Sequence, residues 1–353
     1  MAQTPWYPVK SVDPEIYQLI ELELARQRST LEMIASENFL HPALMAGMAS
    51  PFTNKYAEGL PHRRYYDGCV HVDAMEELAI KRVTELFGCE FANVQPHSGA
   101  SANAAVMMSL LEPGDRVLGL DLDHGGHLTH GSPVNFSGRL YDAHFYQLDN
   151  NKELLDYHAI EAKALEIKPA MIVAGASAYP RIIDFAAFRT IADKVGAYLL
   201  VDMAHIAGLV ASHHHPSPFP HAHVVTSTTH KTLRGPRGGV ILWNDDQLST
   251  LLNKGVFPIL QGGPLLHQIA MKGSCFLLAA SDEFKVLQQK TIDNAQAFAQ
   301  TLVSQGQKLV SGGTDNHLVL LDVRHRDFDG ATVASVLDHL GITVNKNAVP
   351  GDP

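Results

Sequence analysis

The sequence predicts an α/β protein with a large, mainly parallel sheet covered on both faces and a smaller α/β domain after it. Three observations carry that expectation. Short apolar runs of strand length recur at 116–120, 170–174, 198–201, 223–226 and 240–243. Runs that are apolar throughout belong to strands buried on both faces. Helical stretches at 102–111 and 185–195 fall between them, and past Ser281 a long amphipathic stretch changes the texture.

Taken in order, residues 14–29 read as a helix running on from Pro14, with Ile16, Ile20, Leu22 and Leu24 among charged neighbours. A second helix is expected to open at Asp73, where Glu76 three residues later has the spacing of a capping box. Its apolar positions Met75, Leu78, Ala79, Val83 and Leu86 recur at helical spacing, and Gly88 stops it. The alternating strands and helices follow. Beyond Ser281 we expect a helix through Gln305, a strand at 318–323, a helix at 331–340 and a short strand at 342–344. The expected division is an N-terminal arm over 1–18, a large domain over 19–280 and a small C-terminal domain over 281–353.

The 353 residues suit two or three domains, and 46% hydrophobic with 18% charged residues suits a globular chain with sizeable cores. Lys+Arg 27 against Asp+Glu 37 leaves a formal charge of −10, which disfavours general binding to nucleic acid or to an anionic membrane. Three cysteines, Cys69, Cys89 and Cys275, form no CxxC pair and no disulfide framework, which fits a reducing cytosol. The first residues have neither a basic n-region nor an apolar h-region, so no signal peptide is expected. No charge-free apolar run approaches about 18 residues. The chain reads as cytoplasmic.

Three stretches carry chemistry. In the first, a β-branched run from Val224 delivers Lys231 into a Gly/Pro-rich loop containing Arg237. Ligands of open α/β sheets gather at the carboxyl edge of the strands. A lysine enclosed there beside another cation is a nucleophile toward carbonyl carbon, although a loop lysine taken alone is more often a solvated charge. In the second, Asp202 stands just past the buried run 198–201. An acid there either caps the next helix or meets a cationic or donor partner. An Asp after one strand and a lysine after the next is the arrangement a pyridoxal phosphate site requires: the lysine forms the imine and the carboxylate keeps the pyridine nitrogen protonated. In the third, His97-Ser98-Gly99-Ala100-Ser101-Ala102-Asn103 opens a helix with small residues whose free N–H groups suit a phosphate. Alone it is an ordinary helix start. Gln261-Gly262-Gly263-Pro264 is a second glycine-rich turn able to approach the same anion.

Together these stretches bring out a family resemblance. From about Glu15 to Pro353 the sequence resembles the serine hydroxymethyltransferases, fold-type I pyridoxal phosphate enzymes. The signatures are Ile34-Ala35-Ser36-Glu37-Asn38, Thr53-Asn54-Lys55-Tyr56-Ala57-Glu58-Gly59, Arg64-Tyr65-Tyr66 and His124-Gly125-Gly126-His127-Leu128-Thr129-His130-Gly131. Val201-Asp202-Met203-Ala204-His205, Thr229-His230-Lys231-Thr232-Leu233 and Val344-Asn345-Lys346-Asn347 complete them.

The resemblance implies a role for each matching residue. Lys231 would hold pyridoxal 5'-phosphate as a Schiff base, Asp202 would pair with its pyridine nitrogen, and His127 would stack on its ring. His205 would lie by the phenolic oxygen and the substrate. Ser98, Gly99 and Ala100 would bind the phosphate, with Gly263 of a neighbouring subunit. Ser177 and Thr228 would line the pocket, and Ser36 would hold the amino-acid carboxylate. Tyr56, Glu58 and Tyr66 would reach in from the partner of a homodimer with shared active sites. Arg237 would position Lys231 and the tyrosines, and Asn347 would contact folate. The implied reaction is reversible transfer of the hydroxymethyl carbon of L-serine to tetrahydrofolate. It gives glycine and 5,10-methylenetetrahydrofolate through aldimine and quinonoid intermediates, in one-carbon metabolism and amino-acid biosynthesis. Glu58 would move the proton, as a base on the serine hydroxyl or as an acid on the folate side.

The sequence also departs from the family pattern. Ala100 offers only its N–H where relatives carry a hydroxyl or Gln, Phe257–Leu260 replaces a Gly-bearing segment, and Asp67 stands where Gly usually follows the tyrosines. A Ser-Gly-Ile-Arg-type segment, whose arginine forks onto the substrate carboxylate, is expected after Asn347, but the sequence stops first at Gly351-Asp352-Pro353. The small domain is therefore expected to be incomplete. Two rival readings follow: a cofactor-binding dimer without useful transfer activity, and an α-methylserine or β-hydroxy amino acid aldolase. His213-His214-His215 reads as a solvated loop rather than a metal site, since consecutive residues do not share a face. No metal is expected. Met107-Met108 reads as core.

Overall fold

The computed structural model describes residues 4–352. Met1–Gln3 of the expected arm and Pro353 of the expected small domain lie outside the described residues. At the centre is a seven-stranded sheet. Its strands are β1 (Phe91–Asn93), β2 (Arg116–Leu120), β3 (Asp142–Tyr146), β4 (Met171–Ala174), β5 (Tyr198–Asp202), β6 (Val224–Thr228) and β7 (Gly239–Trp243). In space they run β1-β7-β6-β5-β4-β2-β3. Strands β3, β2, β4, β5 and β6 are mutually parallel, and β7 runs against both its neighbours. Every residue of β4, β6 and β7 is buried, as their unbroken apolar and β-branched composition requires.

Successive strand residues point to opposite faces. Val117, Met171, Val173 and Leu200 enter one core, and Leu118, Ile172, Leu199 and Val201 enter the other. The helices include α1 (Pro14–Ser29), α2 (Val70–Phe87), α3 (Gly99–Leu110), α4 (Phe185–Val195), α5 (Leu266–Ala279), α6 (Asp282–Ser304) and α7 (Gly330–His339). Helix α3 packs Val106 and Met107 on the first face, while α4 packs Phe185, Phe188 and Ile191 on the second. Asp184 caps α4 by accepting from the Ala187 N–H, and Gly196 ends it in the left-handed conformation. Farther along, Ala178, Val310, Leu318, Leu320 and Val349 form a small separate core.

Three expectations need correction. Helix α2 begins at Val70 after Cys69, not at Asp73. Asp73 and Glu76 are buried and taken up by Arg64, whose Nε and Nη2 donate to them at 2.9 and 2.6 Å, so neither serves the helix terminus. The strand expected over 318–323 is only Leu321–Asp322. Side chains intercept its backbone: the Asn316 N–H donates to Thr314 Oγ1, and the Leu318 N–H to Asn316 Oδ1. Strands β1 and β3 were not foreseen. Of the three adjacent histidines, expected in a solvated loop, His213 is exposed, His214 half-buried and His215 buried. The Ile183 N–H donates to His215 Nε2, and His214 lies against the Lys285 carbonyl.

Candidate active site

Asp202 is the last residue of β5 and stands opposite Thr226 on β6. The next turn carries Lys231. It is closed by hydrogen bonds from the Gly235 N–H to the Thr229 carbonyl at 2.7 Å and from the Thr229 N–H to the Gly238 carbonyl at 3.0 Å. Adjacent parallel strands therefore present an acid and a lysine at the same sheet edge.

Asp202 is densely held. Its Oδ2 accepts from Asn103 Nδ2 at 2.8 Å and lies 3.2 Å from His130 Nε2, while Oδ1 accepts from the Ala204 N–H at 3.0 Å. Burial alone raises a carboxyl pKa. Here the hydrogen bond with His130 and the nearby His130, His127 and Lys231 outweigh it and keep Asp202 well below the usual carboxylate range. Asn103 Nδ2 also donates to Thr129 Oγ1 at 2.8 Å, which lies 2.8 Å from His127 Nδ1. Burial pushes His127 down to about 4, so its imidazole is neutral and suited to stacking on an aromatic ring. Burial, and then the Lys231 charge, hold His205 well below the ordinary histidine value. Lys231 is itself lowered by burial and by Arg237, against the pull of Asp202. Exposed Arg237 sets Nη1 3.4 Å from His230 Nε2.

The start of α3 lies beside these groups. Ser98 caps the helix by accepting from the Ser101 N–H at 3.1 Å. A Cβ on Gly99 would stand 2.7 Å from the Thr228 methyl, so only glycine permits that approach. Ala100 is exposed. Ser177 donates its N–H to the Gly125 carbonyl at 2.8 Å, tying two loops of this edge together. A small cavity lined by Ser177, Asp202, His205 and His317 lies between them. A groove of about 700 Å³, lined by Ser36, His230, Arg237 and His317 among others, opens toward solvent.

Tyr56, Glu58 and Tyr66 form a second cluster. The Tyr66 hydroxyl donates to Glu58 Oε2 at 3.2 Å, and the two tyrosine rings meet edge-on at 5.5 Å. Contact with Glu58 raises the Tyr66 pKa. The cluster lies on the glycine-rich turn: a Cβ on Gly263 would be 3.0 Å from the Tyr56 ring, and one on Gly262 3.1 Å from Glu58 Oε1. Tyr56 and Tyr66 remain 58% and 46% exposed. Asn347 is exposed and accepts from Asn345 Nδ2 at 2.9 Å.

These residues fit pyridoxal phosphate. His205 Nδ1 and Thr228 Oγ1 are buried without a partner, the Gly99 approach leaves a cradle at a helix N-terminus, and Asp202 is ionised where a pyridinium requires an acceptor. His127, His130 and Asp202 also bring potential metal-ligand atoms within 4.8 Å of one another. The hydrogen bonds among them and Asn103 already account for that grouping. A family model described as serine hydroxymethyltransferase matches residues 9–353. The chain belongs to that family. The serine hydroxymethyltransferase family comprises fold-type I pyridoxal phosphate-dependent transferases of one-carbon metabolism, acting on serine, glycine and folate. The α/β architecture and its mainly parallel sheet agree with that fold.

Sequence reasoning missed His317 and gave no role to His130 or Asn103. The His317 ring stacks on His205 at 5.8 Å, with both ring nitrogens buried and unpartnered. A lone histidine 112 positions from its partner leaves no local signal. His130 sits in the quoted His-rich motif, and Asn103 four residues into α3 points back at the sheet edge. Helical phase was the available clue for Asn103.

Proposed function

We propose that this chain interconverts L-serine and glycine, passing the hydroxymethyl carbon to and from tetrahydrofolate as 5,10-methylenetetrahydrofolate, with pyridoxal phosphate bound at Lys231. One observation carries this reading. Asp202 ends one strand and Lys231 lies in the turn after the adjacent parallel strand, so an acid and a lysine share a sheet edge with the start of α3, whose Asn103 donates to Asp202. Bound pyridoxal phosphate supplies an electron-accepting ring for carbon–carbon cleavage.

The protein's own groups do the rest. Lys231, lowered by burial, is the amine placed for attachment. Asp202 holds the pyridine proton, and Asn103 and His130 orient Asp202. Neutral His127 covers the ring, while His205, Ser177 and Thr228 line the pocket. Ser98, Gly99 and Ala100 offer the phosphate their N–H groups, joined by Gly263 of a second copy. Ser36 and Arg237 face the groove where the amino acid enters, and Asn347 contacts the folate. Glu58 moves a proton at its Oε2, with the Tyr66 hydroxyl beside it.

We take Tyr56, Glu58 and Tyr66 to serve the partner's site in a homodimer. The exposure of the two tyrosines supports this, as does α1, which buries none of its 16 residues and leaves Ile16, Leu19 and Leu22 uncovered. The arm over 1–18, the cofactor domain over 19–280 and the small domain over 281–353 are the units of that assembly. The formal charge of −10 suits a cytoplasmic enzyme, and no helix among the described residues is long and apolar enough to cross a membrane.

The purified chain should form a visible, borohydride-reducible chromophore with pyridoxal phosphate that Lys231→Ala lacks. It should convert serine to glycine only when tetrahydrofolate is present. A colourless wild-type protein in excess cofactor sinks the reading. Colour with equal turnover of α-methylserine and no folate requirement replaces the transferase with an aldolase.

A further inference from the structure

Lys272, on α5, is only 1% exposed. Its Nζ donates to the carbonyls of Val94, Pro96 and Gly239 at 2.8, 2.9 and 2.9 Å. An ammonium has three N–H donors, and all three are used. The acceptors lie on two loops of different origin. Pro96 leads through His97 into the Ser98–Ala100 seat. Gly239 opens β7 directly after the loop that carries Lys231 and Arg237, and its own N–H donates to the Pro96 carbonyl at 2.9 Å. The fit is close: a Cβ on Gly238 would stand 2.2 Å from Lys272 Cε, so glycine is required there for the lysine to lie flat.

Burying an ammonium is costly unless something is gained by it. Burial pushes Lys272 down to about 7, with Glu76 the one charge nearby that opposes this. Glu76 is committed elsewhere, accepting from Arg64 at 2.6 Å and from Gln95 at 2.7 Å. An unbranched apolar side chain would fill the same volume without that cost, but it would withdraw three donors from these buried carbonyls and leave the two segments joined through the Gly239 N–H to Pro96 carbonyl bond.

We propose that Lys272 is a positioning residue of the cofactor cradle, holding the phosphate loop and the exit of the Lys231 loop at a fixed separation. The inference rests on the reading of this site as a pyridoxal phosphate site. If it holds, Lys272 matters for the distance between phosphate and aldehyde, and hence for a cofactor anchored at both ends. A merely structural lysine would matter equally with or without the phosphate.

The test compares binding of pyridoxal phosphate with binding of pyridoxal, which lacks the phosphate, in the full chain. Wild type and the variants Lys272→Met and Lys272→Gln are read by their chromophore and by thermal unfolding without cofactor. In Lys272→Met, pyridoxal phosphate affinity should fall by roughly tenfold to hundredfold, the range for hydrogen bonds made by charged groups. Pyridoxal affinity should change little, so the preference for the phosphorylated form collapses. Lys272→Gln, which keeps N–H donors, should recover part of it. Equal losses for both compounds, or an unchanged preference, overturn the proposal.

Should neither variant fold, hydrogen exchange on the wild-type chain decides. On binding pyridoxal phosphate, amides at 97–100 and 238–239 should gain protection together, and protection of 97–100 alone overturns the proposal. A wild type that binds neither compound overturns the functional reading itself, without bearing on Lys272.

Discussion

The Lys231 edge of the sheet and the Tyr56–Glu58–Tyr66 cluster differ in almost every physical respect. The first is a closed network in which Asp202 has three donors and four histidines are held neutral by burial. The second is a surface cluster with one internal hydrogen bond between side chains and half-exposed rings. One is finished within the fold of a single chain. The other is open to solvent on the single chain. Stability should therefore depend on the first and activity on both, and that contrast can be attacked from either side.

The largest effect should come from acid. His127, His230 and His317 are lowered to about 4, and His205 well below its ordinary value, all through burial first. The unfolded chain binds protons to these residues near the ordinary value of about 6.5, so between roughly pH 6.5 and 4 it takes up more protons than the folded chain. Stability is then intact above that window and falls as pH drops through it. Each such group contributes up to about 1.4 kcal/mol per pH unit. Denaturant unfolding of the cofactor-free chain at pH 7 and pH 5 should differ by several kcal/mol, on the order of this slope summed over the group. A flat profile would mean that the edge is already hydrated and open.

Asp202→Ala should come next, destabilising the cofactor-free chain by about 3 kcal/mol, because it strands the buried donors of Asn103 and the Ala204 N–H. Urea midpoints measure this, and Asp202→Asn should recover part of the loss while still weakening cofactor binding. The smallest change in stability should be that of Glu58→Gln, within about 1 kcal/mol for a half-buried carboxylate that accepts one hydrogen bond from Tyr66. Its activity should nevertheless be largely lost. Mixing Glu58→Gln with Lys231→Ala, each inactive alone, should restore activity through heterodimers that contain one intact site. No recovery after verified subunit exchange would mean that both clusters serve the same chain's site.

How far the sequence could be read depended on the range of each interaction. Strands β2, β4, β5, β6 and β7 announced themselves because a strand buried on both faces is apolar without interruption. Edge strand β3 is largely exposed or half-buried, and β1 has three residues, so neither left such a run. Asp73 and Glu76 have the spacing of a cap, yet Arg64 claims both, and no local pattern announces a partner nine or twelve residues back. Lys231 and Asp202 could be read because strand ends are local features. Lys272 could not, because its partners lie up to 178 positions away and a lysine within an apolar helix reads as surface.

The short parallel ladder joining Leu31–Glu32 to Ile342–Thr343 bears on the groove that contains Ser36. The Met33 N–H donates to the Thr343 carbonyl at 2.8 Å, and the Leu31 N–H to the Gly341 carbonyl at 2.8 Å. One wall of the groove, residues 32–40, is thus moored to the segment after α7, while other lining comes from the loop that carries His230 and Arg237 and from Leu287, Gln288 and Thr291 of α6. A two-residue ladder thus ties this wall of the groove to a segment more than 300 positions along the chain, so the spacing of the groove is set jointly by the two ends of the sequence.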